Sequence, residues 1–288
     1  MPKICITAET TIDLPKELLE EFDIKIIPFT IVLGEEQAKD GEVTSKDLFD
    51  YVDRTGKLPR TSAINTFQYA DFFLELLKDY DEIVHFSLSS GISSACSNAI
   101  AAVSENHLEN RVFVIDSRTL STGIALQAFY AAKLLKKGYS GAQIKEKVEK
   151  RIPYDQASFI IQQLNYLYKG GRCSKLAMFG ANILKIKPQI VVADGVMAPG
   201  KKYRGKTDRT ILEYVDDTLD QFNNPDLEQV FITYTTADPD TVAKIKEKLE
   251  MHGFKRIDIT QAGGTIACHC GPETLGILYF NDGNENHD

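Results

Sequence analysis

Residues 82–105 read EIVHFSLSSGISSACSNAIAAVSE, and this stretch decides how the rest of the chain is read. Ile83-Val84-His85-Phe86 is a short β-like run. A helical pattern follows the serines, with Cys96, Ile100 and Val103 on one face. A strand that feeds a Ser/Gly turn and then a helix leaves the first backbone N–H groups of that helix without partners. Ser87, Ser89, Ser90, Ser93 and Ser94 crowd around Gly91. Hydroxyls and N–H groups together make a seat for a small anion. One serine there would read simply as a helix cap; the crowding is what points to a binding loop.

Outward from this stretch, the first half alternates. Lys3–Ala8 reads as a strand and Pro15–Phe22 as a helix with proline near its start. Ile24–Leu33 reads as one apolar, β-branched strand. Thr44 and Asp47 form a capping box before the next helix. GKLPRTSAIN reads as a polar connector, and Phe67–Leu77 as an aromatic-rich helix. Arg111–Ile115 is another strand, with Asp116-Ser117 at its end. Helices carrying Ile124, Phe129 and Leu134, and then starting at Ser140-x-x-Gln143, complete this half. Strands alternating with helices predict an α/β fold with a mostly parallel sheet covered on both faces.

After Pro153 the texture changes. Ala157–Leu167 reads as a strand running into a helix, and Asp194-Gly195 is a hairpin signal between Gln189–Ala193 and Val196–Ala198. A helix from Asp208, a strand at Val230–Tyr234 and a helix bearing Val242, Ile245 and Leu249 follow. Ile257–Ile259, Thr265–His269 and Gly276–Phe280 read as further strands. The expected organisation is an N-terminal α/β domain over residues 1–155 and a C-terminal mixed α+β domain over 156–288. The tail from Asn281 is polar and reads as loose.

Composition narrows the function. The chain has 288 residues, 43% hydrophobic and 26% charged, as in soluble globular proteins. A net charge of −8 argues against nucleic acid as a partner, because phosphate binding depends on Lys and Arg. No signal peptide or apolar run of membrane-spanning length is apparent, so a cytoplasmic location is expected, with at most transient membrane contact. Five cysteines without regular spacing suit reduced thiols. Cys268-His269-Cys270 makes an awkward chelate if extended, and no further ligand motif accompanies it, so no metal is expected.

Two chemical readings compete at the central loop. In an open α/β sheet, ligands bind beyond the carboxyl ends of the strands, where Thr10, Thr61-Ser62, the serine loop and Asp116-Ser117 would gather. Alternatively, Gly91-Ile92-Ser93-Ser94-Ala95 has the outline of a nucleophile elbow, with Ser93 as nucleophile and His269 downstream as base. That would make the chain a serine hydrolase of acyl esters. A binding protein for some other small carboxylate is a further alternative. Lys169–Arg172 and Gly200–Lys206 concentrate basic charge in an acidic chain, which suits an acidic partner. A Walker A motif is absent.

Taken in order, short segments of the chain resemble the DegV family. Thr10-Thr11-Ile12-Asp13-Leu14-Pro15 is similar to its D-S-T-x-D-L-P opening, and Asp40-Gly41 to its D-G. Leu58-Pro59-Arg60-Thr61-Ser62, Ser90-Gly91 and Ile115-Asp116-Ser117 resemble its next segments. Tyr166–Ser174, Ile186-Lys187-Pro188, Arg204-Gly205-Lys206 and His269-Cys270-Gly271-Pro272 complete the resemblance, which covers roughly residues 3–281. Departures fall at Glu9-Thr10, Ala63-Ile64, Ile92-Ser93 and Glu273.

The resemblance implies a two-domain fold that buries a long-chain fatty acid, as in the FakB-type subunits of bacterial fatty acid kinase. It implies a carrier with no enzymatic activity and no cofactor, which presents its ligand to an ATP-dependent kinase subunit. Thr61, Ser62, Ser90, Gly91 and His269 match the region that holds the carboxylate. Thr10, Ser93, Asp116 and Ser117 lie near it, while Arg172 and Arg204 match partner-facing positions. The physics is compatible. Charge-assisted hydrogen bonds offset carboxylate desolvation, and burying a sixteen-carbon tail yields roughly 11 kcal/mol gross.

Overall fold

A computed structural model describes residues 2–174 and 186–283. The end of the tail, residues 284–288, lies outside them. Among the described residues the strands form three sheets. The first is wholly parallel, in the order β2 (Ile24–Ile27), β1 (Ile4–Glu9), β6 (Glu82–Ser87) and β7 (Val112–Asp116). Because all four strands run the same way, Glu9, Ser87 and Asp116 finish at one edge. Ser87 stands in register with Asp116.

The second sheet is mixed and six-stranded. Its order is β10 (Val196–Tyr203), β9 (Lys187–Ala193), β8 (Asp155–Ile160), β13 (Leu275–Phe280), β11 (Val230–Tyr234) and β12 (Ile257–Gln261). The pairings are antiparallel except β11 with β12. The expected hairpin is there. Asp194 and Gly195 take φ of 51° and 79°, the left-handed geometry that a tight two-residue hairpin turn needs.

The helices follow their caps. Side-chain capping boxes start α2 (Ser45–Thr55) at Thr44/Asp47, α3 (Thr66–Leu76) at Asn65/Gln68 and α6 (Gly141–Arg151) at Ser140/Gln143. Between the two large sheets lies α5 (Thr122–Lys136), apolar on nearly every side and buried accordingly. Its alanines let both sheets approach. Phe129 stacks on Phe22 and packs near Phe231, so one apolar core runs from the parallel sheet into the mixed one.

Four expectations are corrected. Ile24–Leu33 is two strands, because Pro28 has no N–H to give and the Phe29 N–H goes to Thr10 Oγ1 at 3.1 Å. The second half, β3 (Thr30–Leu33), belongs to a small antiparallel sheet with β4 (Glu36–Lys39) and β5 (Arg60–Ser62). The supposed connector around Thr61 is therefore partly strand. Ile100 is 53% exposed; Ala95, Cys96, Ala99, Ala102 and Val103 form the buried face of α4 (Ala95–Glu105). Finally, Thr265–His269 is helical, within α10 (Gly264–Cys270).

The cause of that helix lies far away in sequence. Asp13 Oδ1 accepts the Gly263 N–H at 2.8 Å. Asp40 accepts the N–H groups of Gly264 and Thr265 through its two oxygens, at 2.8 and 3.1 Å. Two aspartate side chains at a helix start satisfy donors that would otherwise be orphaned. A short apolar run carries no periodicity strong enough to reveal this.

Candidate functional site

A cavity of about 670 Å³ opens where the three sheets meet. The loop between β6 and α4 supplies Ser90, Gly91, Ser93 and Ser94; β5 supplies Thr61 and Ser62; α10 supplies Ile266, His269 and Cys270. Phe29, Leu88, Leu120, Leu167 and Met197 make the apolar walls. Ser97, Thr265 and Arg172 also reach it.

The polar heart of the cavity is a pair. Thr61 Oγ1 and His269 Nε2 are 2.9 Å apart. Burial, with the Arg172 guanidinium nearby, pushes the imidazole down to about 4, so it is neutral at neutral pH. His269 Nδ1 is buried and has no hydrogen-bond partner among the described residues. With Nε2–H donating to Thr61, the threonine hydroxyl keeps its own proton to offer a ligand oxygen. Cys270 stands one residue on, and burial drives its thiol up, which makes it inert wall rather than nucleophile.

The serine loop is fastened from below by Glu9. This buried carboxylate accepts the Leu88 N–H at 2.6 Å, the Ser87 hydroxyl at 2.6 Å and the Tyr69 hydroxyl at 2.5 Å. Thr11 Oγ1 reaches it at 3.3 Å, and His85 Nε2 stands 3.5 Å away. Asp116 fastens the loop from the side. It accepts the Ser90 N–H at 3.0 Å and the Ser90 hydroxyl at 2.5 Å.

The mixed sheet clasps the same loop. Ser89 Oγ donates to Gly195 O at 2.6 Å, and the Arg118 guanidinium donates to Asp194 O. Arg118 also lies 3.7 Å from Asp116. Gly91 fits because it has no side chain: a Cβ there would run into the backbone of Gly195.

The residues singled out in the sequence thus divide. Thr61, Ser62, Ser90, Gly91, Ser93, His269 and Arg172 line the cavity. Thr10, Asp116 and Ser117 do not: Thr10 holds the Phe29 N–H, Asp116 holds Ser90, and Ser117 bonds Thr119 O within its own turn. Arg172, expected on a partner face, is at the cavity and donates to Gly170 O. Arg204 is exposed and away from it. Asp13, Asp40, Arg118 and Ile266 were given no role from the sequence. The first two stood in recognised segments, yet only the fold shows what they hold.

Ser93 does not sit in a hydrolytic arrangement. Its hydroxyl accepts the Ala95 N–H at 3.1 Å, and among the described residues no histidine or carboxylate bonds to it. His269 is committed to Thr61 instead. The described residues also contain no cluster of three or more side chains suited to a metal ion, and no helix long and apolar enough to cross a membrane.

Known proteins resemble this chain along nearly its whole length. A DegV domain-containing protein of Caldanaerobacter subterraneus is 30% identical over 281 residues, covering 97% of this chain and 99% of that protein. The solved structure of DegV from Bacillus subtilis, described as a fatty acid binding protein, matches with a TM-score of 0.82 at 28% identity, covering 97% and 99% of the two chains. A stearic acid-binding protein from Eubacterium ventriosum matches at 0.83 and 26% identity, covering 96% and 98%. The family model for the uncharacterised proteins of the DegV family spans residues 3–282, and with that match the chain belongs to the DegV family.

Proposed function

We propose that this protein binds a long-chain fatty acid in the 670 Å³ cavity and presents its carboxylate to an ATP-dependent fatty acid kinase subunit. The observation that carries the reading is the Thr61–His269 pair, 2.9 Å apart, in a cavity that sets a hydroxyl-rich side against apolar walls of Phe29, Leu88, Leu120, Leu167 and Met197. A fatty acid has this division of character: one charged end and a long chain that prefers to leave water.

In this reading the carboxylate lies against Thr61, with Ser62 and the Gly91–Ser93 turn beside it. Thr61 donates its hydroxyl hydrogen. His269, neutral, orients that hydroxyl through Nε2–H, and Arg172 supplies positive charge at the rim. Such charge-assisted bonds offset the loss of carboxylate hydration. Each buried methylene adds about 0.8 kcal/mol, so the chain supplies most of the affinity. The protein itself performs no chemistry and needs no cofactor. It works in the cytoplasm, and the kinase brings the ATP. Structures of similar proteins described as binding fatty acids support the ligand class.

The test is organic extraction of purified protein followed by mass spectrometry, together with titration of added fatty acids into delipidated protein. Recovery of one acyl lipid per chain is expected. Protein that carries no acyl lipid and binds none when it is added would overturn the reading.

A further inference from the structure

Beside the cavity two helices meet through a pair of missing side chains. α7 (Leu164–Gly170) packs against α10. A Cβ on Gly170, the last residue of α7, would stand 2.7 Å from His269 Nδ1. A Cβ on Gly271, just past α10, would stand 2.6 Å from the Tyr166 ring. Each glycine makes room for a ring of the other helix. The two differ in kind. Gly271 has φ of 76°, so its own backbone already favours glycine. Gly170 is helical with no left-handed φ, a place where helix propensity prefers alanine. What asks for glycine at 170 is the imidazole.

The contact falls on the ring nitrogen that does not meet Thr61. Nε2 stands 2.9 Å from Thr61 Oγ1, whereas Nδ1 is buried against Gly170 with no hydrogen-bond partner among the described residues. The Gly170 carbonyl is engaged elsewhere, accepting Arg172 Nη1 at 2.7 Å. A proton on Nδ1 would be a buried N–H facing carbon, and an orphaned donor is tolerated less readily than an orphaned acceptor. A proton on Nε2 is accepted by Thr61.

We propose that Gly170 is a positioning residue for the head-group contact: by lacking a side chain it seats the His269 ring within reach of Thr61 and holds it in the Nε2–H tautomer. Arg172 steadies the seat through the Gly170 carbonyl. The consequence for binding rests on the fatty-acid reading and deepens it; the tautomer stands on the protein's own contacts.

The experiment combines nitrogen NMR of the His269 imidazole with titration of hexadecanoate into delipidated protein. Wild type is compared with Gly170→Ala, Gly171→Asn, His269→Ala and the double variant His269→Ala/Gly170→Ala. Wild type shows the Nε2–H tautomer. In Gly170→Ala the methyl pushes the ring off Thr61. The pure Nε2–H signal is lost, the imidazole titrates closer to its ordinary 6.5, and affinity falls about tenfold, as for one lost hydrogen bond to a charged group. In the His269→Ala background the same change costs nothing further, because the ring it meets is gone. Gly171→Asn keeps both tautomer and affinity: φ there is 72°, which asparagine accepts, and a Cβ meets nothing within 4 Å among the described residues. Equal losses with and without the His269 ring, an equal loss in Gly171→Asn, a wild-type Nδ1–H tautomer, or a tautomer unmoved in Gly170→Ala overturns the proposal while leaving a fatty-acid protein. If Gly170→Ala does not fold, folding restored by adding His269→Ala upholds the contact, and folding not restored overturns it. Failure of wild type to bind any acid overturns the fatty-acid reading, and the NMR comparison then decides the tautomer by itself.

Discussion

Thr61 and His269 are 208 residues apart in sequence, and their side chains meet at 2.9 Å. One comes from the small antiparallel sheet, the other from a seven-residue helix packed against it. Thr61→Val keeps the shape and removes the hydroxyl. It is expected to weaken fatty-acid binding about ten- to a hundredfold, the effect of one lost hydrogen bond to a charged group. Fluorescent fatty-acid titration on the folded variant measures this; unchanged affinity would place the carboxylate elsewhere.

Asp40 holds the start of that helix from outside it, taking the Gly264 and Thr265 N–H groups. Asp40→Ala leaves both donors buried without a partner, at a cost of about 1–3 kcal/mol each at most. We expect a lower midpoint in urea unfolding and, because His269 rides on the same helix, weaker acid binding than stability loss alone produces. A variant that loses stability but keeps full affinity when folded would detach the cap from the site.

The depressed His269 pKa has a definite sign in stability. The unfolded imidazole takes up a proton near its ordinary value of 6.5, while the folded one resists until about 4. Between those values the unfolded state holds more protons, so this group's contribution to stability shrinks as pH falls from about 6.5 toward 4. Melting temperatures of wild type and His269→Gln, followed across that window, should converge as the pH drops. NMR titration of the imidazole gives the direct check. A midpoint near 6.5 would contradict the burial effect.

The two arginines should separate. Arg204, exposed and off the cavity, is expected to leave acid affinity unchanged when replaced by alanine and to lower kinase-coupled acyl-phosphate formation, with the gap from wild type narrowing at high salt as the exposed charge is screened. Arg172 lines the cavity, so Arg172→Ala should also weaken acid binding severalfold and raise the His269 pKa. Lipid binding and coupled turnover measured on the same preparations distinguish them. Equal behaviour of the two variants in both assays would remove the distinction.

Much of this fold is legible because its signals are local. Thr44/Asp47 and Ser140/Gln143 announce helix starts within four residues, and Asp194-Gly195 announces a turn in two. The serine loop is legible from its own composition. What escaped was long-range. Nothing near Thr265 says helix, since the donors there are satisfied by Asp13 and Asp40, more than two hundred residues earlier. Pro28 was visible in the sequence, yet periodicity ran across it. The binding residues can be listed from the sequence but not sorted: Thr10 and Thr61 carry the same hydroxyl, and only the backbone path turns one to the Phe29 amide and the other to the cavity.

Glu9 has a consequence for selectivity. With Leu88, Ser87 and Tyr69 all donating to one buried carboxylate, the loop at the head of the site is organised by folding alone. A preorganised seat spares the ligand the entropic cost of ordering it. It also treats every fatty acid alike, because all of them bring the same carboxylate to the same fixed groups. Discrimination between one acid and another then has to arise where the molecules differ, along the hydrocarbon. A comparison of acids should therefore find a constant head-group increment and a chain-dependent remainder.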